Sequence, residues 1–556
     1  MKAFATVIAR AILFVIARAI ARSNLPGRIL DCFGLRPRND ADDARLLRAI
    51  ALAMTFFFGF CSLARAGEIL DREIQLPKIK ETTYELFNRI TELTGFFFVY
   101  DGNIINSEKK VNFPGGQHTI KQSISLITKD PNIQIKIIGK HILLYKDGIP
   151  STTTIRPLQE ISESPNFRIA KAIVKDAQTK EPIPYVSVSI EKTGIGTITN
   201  QSGEFILKIP LSDTTQNIRI SHVGYNQQTI PVELFLNNSI DIYMETKIVP
   251  LRDVIVGIVN PQKIIREMLN NRPINYQSEP VYFTNFYREG IEKKNTIVNL
   301  TEAVFQVYKT GFDSPVEDQV KLLKMRKISN ESETDSIILK MRAGIDASLR
   351  LDIIKHLPDF LDLNDENPYN YSKIDMTVTD SSLAHVIAFE QKPGITDPFY
   401  KGELYIDADN SALLVAHFEI DPRYINKATD RFVLKKSKGI DIKPEKADYS
   451  VYYKFWNGKY YLSHIRGDLT FKVKKGKAFF QPSKSIHTFF EMAVCKIDTV
   501  NVKKFSRNES ISTRNVFSET KFQYDNRFWD DFNVILPEEK LNEAISRISS
   551  KIEEIE

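Results

Sequence analysis

Apolar residues recur along the chain in three different patterns, and each pattern predicts a different kind of structure. In the first, they follow the 3.6-residue period of an amphipathic helix that starts at a capping box, Thr82 with Glu85, and ends at Gly95. Short strands, a second helix and a terminal hairpin over 133–145 follow it. This order predicts a small α+β domain, to which we assign 67–150.

The second pattern begins near residue 166, where the helical period gives way to short strands with strict alternation. Val186, Val188 and Ile190 all fall on one face of a single strand. Such strands recur at intervals of about ten residues with turn residues between them, which is typical of a β-sandwich. We assign 166–248 to the sandwich and 151–165 to a linker.

The third pattern covers 249–556 and predicts longer antiparallel strands. A short amphipathic helix over 262–270 comes first. Hairpins over 402–420 and 451–465 come later, and the second turns at Asn457-Gly458, the strongest short-range hairpin signal. These features predict a large antiparallel sheet with helices packed on it.

Two polar stretches of this region, 311–340 and 357–374, are expected to be connections that carry some helix. The expected fold class is therefore multidomain and mostly β. It combines a small α+β N-terminal domain, an immunoglobulin-like (prealbumin-like) sandwich and a curved, half-barrel-like antiparallel sheet with helices.

The first domain resembles a known module. The runs TTYELFNRITELTGFFFVYD, VNFPGGQHTIKQSISLI and IQIKIIGKHILLY are similar to the secretin and TonB N-terminal short domain. This resemblance implies a periplasmic module that contacts a protein partner of the envelope.

The second domain resembles the carboxypeptidase regulatory-like domain through IVKDAQTKEPIPYVSVSIEKTGIGTITNQSGEFILKIP and IRISHVGY. The residues that carry this signature are Gly194, Gly196, Asn200, Gly203, Phe205, Gly224 and Tyr225. Ala172 and Asn200 stand where that family usually has Gly and Asp. We expect Gly203 to adopt a positive φ in a hairpin turn and Phe205 to point inward. The resemblance implies a scaffold without chemistry of its own.

The third region carries two partial resemblances. The segment IIREMLNNRPINYQSEPVYFTNFYRE is similar to proteins in which the same sandwich precedes a poorly characterised domain. The hairpin GELYIDADNSALLVAHFEI resembles the open half-barrel of periplasmic lipoprotein carriers, which implies that apolar ligands bind its concave face. The domain order resembles the front end of TonB-dependent receptor-type envelope proteins.

Composition is that of a folded protein, with 42% apolar and 26% charged residues. The net charge of +6 has an uneven distribution. Residues 1–66 contain ten basic and four acidic residues, so the rest of the chain holds 65 of each and is formally neutral. A nucleic-acid partner is therefore not expected.

The basic segment 1–66 has the parts of a secretory signal. Two arginines precede the apolar run 49–60, and Ala64-Arg-Ala66 follows as a cleavage site. Cleavage would leave Gly67 as the new N-terminus. A lipoprotein signal that ends at Cys61 and a retained buried helix are the alternatives.

Candidate chemistry is sparse. None of the eight histidines begins a His-x-x-Glu pair, so a zinc peptidase site is not expected. The stretch 407–411 is interpreted as a polar hairpin turn rather than a calcium loop. We expect no catalytic, cofactor-binding or metal-binding residues. A hydrolase site assembled from His417, Glu419 and Asp407 is the catalytic alternative.

Together these features predict an exported, non-enzymatic binding or interaction protein at the periplasmic side of the outer membrane. An envelope protein partner is expected, with an apolar, peptide or glycan ligand and no cofactor. A second hypothesis is an outer-membrane barrel or a protein associated with TonB-dependent transport, for which membrane association would follow.

Overall fold

The computed structural model describes residues 69–100, 104–107, 109–138, 140–145, 167–235, 239–246, 260–294, 296–329, 340–341, 344–378, 383–435, 440–475, 483–512 and 532–538. The predictions of cleavage at Ala64, Ala66 and Gly67 and of the alternative at Cys61 lie outside these residues, as does the linker 151–165.

The contacts divide the chain into two units, Met1–Leu76 with Gly116–Ser123 and Pro77–Gly115 with Ile124–Glu556. The N-terminal elements are β1 (Glu73–Leu76), β2 (Ile79–Thr82), α1 (Thr83–Thr94), β3 (Phe97–Tyr100), β4 (Lys110–Phe113), β5 (Gly116–Thr119), α2 (Ile120–Thr128), β6 (Gln134–Ile138) and β7 (His141–Tyr145). In the first unit, β1 pairs antiparallel with β5. In the second unit, β2 pairs with β4, and β7 lies between β3 and β6.

Helix α1 has the caps that the sequence predicts. The Thr82 hydroxyl accepts a hydrogen bond from the Glu85 amide at 3.2 Å, and the Glu85 carboxylate accepts one from the Thr82 amide at 2.8 Å. Gly95 has a φ of 75°, and its amide donates to the Thr91 carbonyl. Leu86 faces the buried side of the helix. The short strands β1, β2 and β5 were not predicted.

The sandwich contains β8 (Phe167–Asp176), β9 (Ser187–Ile190), β10 (Gly196–Ile198), β11 (Glu204–Pro210), β12 (Asn217–Ser221), β13 (Gln228–Pro231) and β14 (Ser239–Met244), with 3₁₀ turns at Leu211–Asp213 and Val232–Phe235. One sheet has the order β10-β9-β12-β13 and the other β11-β8-β14. Alternate residues such as Phe205, Leu207 and Ile209 are buried between the sheets, so the expected period of two is confirmed.

The third region consists of long strands and short helices. They are α3 (Pro261–Asn270), α4 (Arg272–Asn275), β15 (Val281–Lys293), β16 (Thr296–Lys309), β17 (Gln319–Ser329), β18 (Lys340–Met341), α5 (Ile345–Arg350), β19 (Tyr369–Val378), β20 (Leu383–Gln391), β21 (Tyr400–Asp407), β22 (Leu413–Ile420), α6 (Thr429–Phe432), β23 (Val433–Lys435), β24 (Ile440–Trp456), β25 (Lys459–Lys475) and β26 (Lys484–Asp498), with 3₁₀ turns at Asp359–Leu361 and Ile425–Ala428.

Ten of these strands form one antiparallel sheet in the order β17-β16-β15-β26-β25-β24-β22-β21-β20-β19. The sheet confirms the expected large antiparallel layer. The hairpin of β24 and β25 turns at Asn457 and Gly458, whose φ angles of 47° and 81° suit a two-residue hairpin turn.

The prediction for the polar stretches was wrong in part. The stretch 311–340 contains β17, and the stretch 357–374 runs into β19. Both strands lie at the edges of the ten-stranded sheet, where each has one neighbouring strand among the described residues. Edge strands tolerate and often require polar side chains, so hydrophobic periodicity is weak there.

The two faces of the sheet differ in character. On one face, which we call the helix-covered face, buried side chains such as Phe305, Ile465 and Met492 pack with α3 and α5. On the other, the polar face, the sandwich makes contact: the ring of Tyr185 stacks on His464 of β25, with centroids 4.9 Å apart. The strand period of two separates the two sets of side chains.

A row of alternating charges crosses five strands of the polar face. The row, which we call the charged row, runs in register through Arg326, Glu302, Arg288, Glu491 and Arg466. Arg288 donates to Glu302 at 2.6 Å and to Glu491 at 2.8 Å, and Arg466 reaches Glu491 at 3.4 Å. Arg288, Glu302 and Glu491 are almost fully buried, so each buried charge has a partner.

One glycine permits close packing on the helix-covered face. A Cβ on Gly467 would lie 2.4 Å from the ring of Phe490, the residue opposite it in β26. We expect Gly467→Ala to lower the free energy of unfolding by about 1–3 kcal/mol, because the added methyl overpacks this contact. Urea unfolding followed by circular dichroism measures the change.

The variant Phe490→Leu provides the control, since it removes the ring that the new methyl would meet. The double variant should lose less stability than the two single losses added together. Strict additivity would contradict the packing explanation.

Candidate functional site

An apolar cavity of about 870 Å³ lies on the helix-covered face. It is enclosed by the strands β21, β22, β24, β25 and β26 and by a cover made of α5, the segment 351–359 and α6. Its apolar walls include Ile353, Phe418, Ile420, Phe432, Leu469 and Phe490. We call this space the apolar cavity.

The walls of the apolar cavity follow from strand alternation. In β22, Phe418 and Ile420 face the cavity, so the period of two places His417 and Glu419 on the polar face. Gly402 lies opposite Phe418, and a Cβ there would lie 2.7 Å from the Phe418 backbone. The sheet therefore presents large apolar side chains to the cavity while its charged residues point away.

The cover is attached to the sheet by a buried cluster of charges, which we call the ion cluster. Lys309 at the end of β16 contacts Asp318 and Asp352 at 2.8 Å each, and Lys355 contacts Asp318 at 2.6 Å. The Tyr453 hydroxyl donates to Asp352 at 2.9 Å. Asp352 and Lys355 belong to the cover, so the cluster holds this segment against the sheet.

Electrostatics favour the charged forms of Lys309 and Asp318. Burial alone would lower the pKa of Lys309, but Asp352 and Asp318 outweigh it and raise the pKa above its ordinary value. Burial would raise the pKa of Asp318, yet Lys309 and Lys355 lower it from 3.8 to about 2. Each charge thus stabilises the others in a dry site.

Charged and aromatic groups surround the rim of the apolar cavity. Arg350 pairs with Asp346 at 3.0 Å along α5, and Arg431 lies 5.9 Å from the centre of the Tyr400 ring. Burial lowers the pKa of His356, so the imidazole is biased toward its neutral form. Chemically, this arrangement can hold an apolar body inside and a polar end at the rim.

The turn residues of the sandwich signature have the geometry that the sequence predicts. Gly203 has a φ of 73°, and a Cβ there would lie 2.4 Å from the Val174 carbonyl oxygen. Asn200 accepts hydrogen bonds from the Ser202 and Glu204 amides within this turn. Phe205 is 1% exposed in the sandwich core.

Two other glycines of the signature serve a contact that sequence reasoning missed. A Cβ on Gly194 would lie 2.2 Å from the Ile497 carbonyl oxygen of β26, and the Gly224 amide donates to the Val378 carbonyl of β19 at 2.7 Å. Both glycines therefore lie where the sandwich meets the sheet. Each glycine lies in the connection of a sandwich hairpin, and nothing local in such a connection identifies the distant strand that it contacts.

The remaining signature residues are internal to the sandwich. A Cβ on Gly196 would lie 2.7 Å from the Val188 carbonyl oxygen of the neighbouring strand. The Tyr225 hydroxyl donates to the Asp176 carboxylate at 2.9 Å. Burial is the main cause that raises the pKa of Tyr225 to about 12.

The three residues of the hydrolase alternative have separate partners. His417 Nδ1 lies 2.9 Å from the Ser450 hydroxyl, whereas Glu419 pairs with Lys401 at 3.0 Å. Asp407 accepts amide hydrogen bonds within its own turn, as expected for a polar hairpin. In the described part of the chain, no hydrogen bond joins His417 to either carboxylate.

Within the described residues, no three His, Cys, Asp or Glu side chains are grouped so that they could hold a metal ion. No helix in this part of the chain is both long and apolar enough to cross a bilayer.

The comparison with family models identifies the sandwich. Residues 173–256 match the CarboxypepD_reg-like domain. This match confirms the resemblance given by the signature residues and covers only that part of the chain. No curated protein matches the chain in sequence.

Solved structures that resemble the chain share little sequence with it. A domain of an outer membrane lipoprotein-sorting protein from Vibrio parahaemolyticus is 7% identical, covers 45% of this chain and 96% of its own, and has a TM-score of 0.21. A LolA superfamily protein from Nitrosomonas europaea is 9% identical over 45% and 96%, with a TM-score of 0.16. A DUF1329 family protein from Desulfovibrio piger is 11% identical over 44% and 96%, with a TM-score of 0.19. These scores are too low to carry a functional argument, so function is argued from the cavity itself.

The ion cluster makes stability depend on pH in a defined direction. Charged Asp318 contributes fully to the free energy of unfolding above its ordinary pKa of 3.8, and this contribution is lost as the pH falls toward about 2. We expect Asp318→Asn to be less stable by about 3–5 kcal/mol near pH 7, since it leaves buried cations underpaired. The difference in free energy of unfolding between this variant and the unmodified protein should become smaller below about pH 4.

Urea unfolding over a pH series measures this difference. Asp346→Asn is the matched control, because it removes a rim carboxylate from an exposed pair and should cost less than about 1 kcal/mol. A difference that stays constant down to pH 2 would show that Asp318 does not hold its charge through the cluster.

Proposed function

We propose that this protein is an exported, non-enzymatic binding module of a Gram-negative envelope, and that its large sheet holds an apolar ligand in the apolar cavity. The observation that carries the proposal is the cavity itself, about 870 Å³ of space that opens to solvent on one side and has buried aromatic and aliphatic side chains as its inner wall.

The composition of the walls favours an apolar ligand over a polar one. Phe418, Ile420 and Phe490 offer no hydrogen bonds to a ligand in the interior, so a polar molecule would lose its water contacts without replacement. A ligand such as an acyl chain would instead gain about 25 cal/mol for each Å² of apolar surface that it buries. Charged groups at the rim, including Arg431, suit a polar end that remains near water.

The cover makes the cavity suitable for ligand exchange. It is composed of the short helices α5 and α6 and an irregular segment, and it is attached to the sheet through the ion cluster at Asp352. The wall beneath the cover consists of long strand ladders, so exchange of a ligand at the cover would leave the ladders intact.

Export and envelope location rest on the sequence. The basic leader 1–66 has the parts of a secretory signal, and the formally neutral remainder has no charge excess that would draw it to nucleic acid. The sandwich at 173–256 belongs to a domain type that we interpret as a scaffold. A protein partner in the envelope, contacted by the N-terminal domain, is part of the same proposal.

Fluorescence of N-phenyl-1-naphthylamine tests the apolar cavity. The dye is dark in water and bright in apolar surroundings, so binding to the full chain should raise its emission. Ala347, which lines the cavity from α5, can be replaced by Trp to fill the space. We expect Ala347→Trp to weaken dye binding at least tenfold, by about 1.4 kcal/mol or more.

The matched control is Arg266→Trp, which adds the same indole to the exposed side of α3, away from the cavity. It should bind the dye as the unmodified protein does. If both tryptophan variants bind equally well, the dye occupies another surface and the proposed function fails.

A further inference from the structure

A second cavity lies on the other face of the sheet, between the sandwich and the polar face. Its volume is about 440 Å³. The strands β9 and β12 form one wall, and β22, β24 and β25 form the other. We call it the sandwich cavity. None of the side chains that line the sandwich cavity also lines the apolar cavity, so the two sites are separate.

His464 of β25 lines the sandwich cavity and lacks the hydrogen bonds that a buried imidazole requires. It is 1% exposed, and neither ring nitrogen has a hydrogen-bond partner within the described part of the chain. The nearest carboxylate oxygen, from Glu491, lies 3.9 Å from Nε2, which is too long for a hydrogen bond. A buried polar group without a partner costs about 1–3 kcal/mol, so such groups call for a missing partner.

Aromatic rings hold this imidazole in place. The Tyr185 ring stacks on His464 with centroids 4.9 Å apart, and the Tyr452 ring lies 5.6 Å away. Tyr185 has a φ of 58°, a conformation that is rare for a bulky residue. Its amide donates to the Thr199 carbonyl at 3.1 Å, which helps to retain the strained backbone.

The opposite wall is unusually rich in hydroxyl groups. Ser187 and Ser189 of β9 lie across from Ser221 and Arg219 of β12, and all four line the cavity. Alternate residues of the same strands, such as Val188, are buried in the sandwich core. The sandwich therefore lines this side of the cavity with polar side chains. In a closely packed contact between two domains, apolar side chains would occupy the same space.

The shape and chemistry of these walls define the ligand. Burial is the main cause that lowers the pKa of His464, which favours the neutral ring, and a neutral imidazole offers one donor and one acceptor. A hydroxyl group can both donate and accept a hydrogen bond, so it can bond to either nitrogen of the ring. For the same reason it can also bond to a serine hydroxyl. The Tyr452 ring and Trp456 supply apolar surface beside these groups.

We propose that the sandwich cavity binds a sugar-sized polyhydroxylated molecule. Its hydroxyls would bond to His464 and to the serines of β9 and β12, and the carbon face of its ring would rest on Tyr452. A volume of about 440 Å³ admits one or two sugar rings but no folded partner. Phe455 and Lys192, both exposed, lie at the edge of the cavity and mark the side from which the molecule enters.

Saturation-transfer NMR on the full chain tests this site, with D-glucose, D-galactose and N-acetyl-D-glucosamine as the probes. We expect transfer to at least one of them at concentrations up to about 10 mM, the weak range that is ordinary for small ligands. The variant His464→Phe keeps the ring stack with Tyr185 and removes both nitrogens. It should weaken binding of that sugar about tenfold.

Ser189→Ala provides a second variant that does not depend on a buried residue. It removes one hydroxyl from a partly exposed strand position and should weaken binding about threefold to tenfold. Ser372→Ala, on β19 and outside the cavity, is the matched control and should bind as the unmodified protein does. Thermal unfolding of each variant shows that it is folded.

Three results would overturn the proposal. The first is an absence of saturation transfer to all three sugars, which would mean that ordered water alone fills the cavity. The second is transfer that His464→Phe, when folded, leaves unchanged. The third, which decides the case if His464→Phe does not fold, is full binding by Ser189→Ala.

Discussion

The charged row across β17, β16, β15, β26 and β25 fixes the register on which both cavities depend. A slip of one residue between neighbouring strands would turn Arg288 toward the helix-covered face and set it among aromatic side chains. A slip of two residues on the same face would part Arg288 from Glu302 and Glu491, at a cost of about 3–5 kcal/mol for a buried charge left alone. Arg288 also donates to the Ile535 carbonyl at 2.8 Å, so the row binds the segment 532–538 to the same place.

The charged row also explains why the two faces of the sheet differ in polarity. Because the charges of the row satisfy one another on the polar face, the opposite face can be largely apolar, with its own charges gathered in the ion cluster, and still leave room for a ligand under the helices. At its end the row meets the sandwich, since the Arg466 guanidinium lies 5.9 Å from the centre of the Tyr185 ring. Glu491 lies in the row beside His464. The polar network that sets the register therefore lies directly behind Tyr185 and His464, two residues that line the sandwich cavity.

The features that the sequence predicted are determined by residues close together in the chain. Those that it did not predict depend on pairing between distant residues. The capping box at Thr82 and the turn at Asn457 are fixed within a few residues, so both were predicted and confirmed. Arg288 and Glu491 are 203 residues apart, and each looks in sequence like an ordinary exposed charge of a strand. The edge strands β17 and β19 were predicted to be connections for the same reason. Their residues are polar, so they can be recognised as strands only from the distant strand with which each one pairs. The cavities are spaces between distant elements and leave no local pattern at all.

Strand β24 connects the two cavities physically. Its pairing with β25 shifts register between Tyr452 and Tyr453, a bulge that locally re-aims side chains. Tyr452 points to the sandwich cavity beside His464, whereas Tyr453 donates to Asp352 in the ion cluster that holds the cover of the apolar cavity. Adjacent residues of one strand therefore serve both sites. The bulge therefore sets how both side chains are aimed, so one irregularity of β24 shapes the sandwich cavity and the attachment of the cover at Asp352.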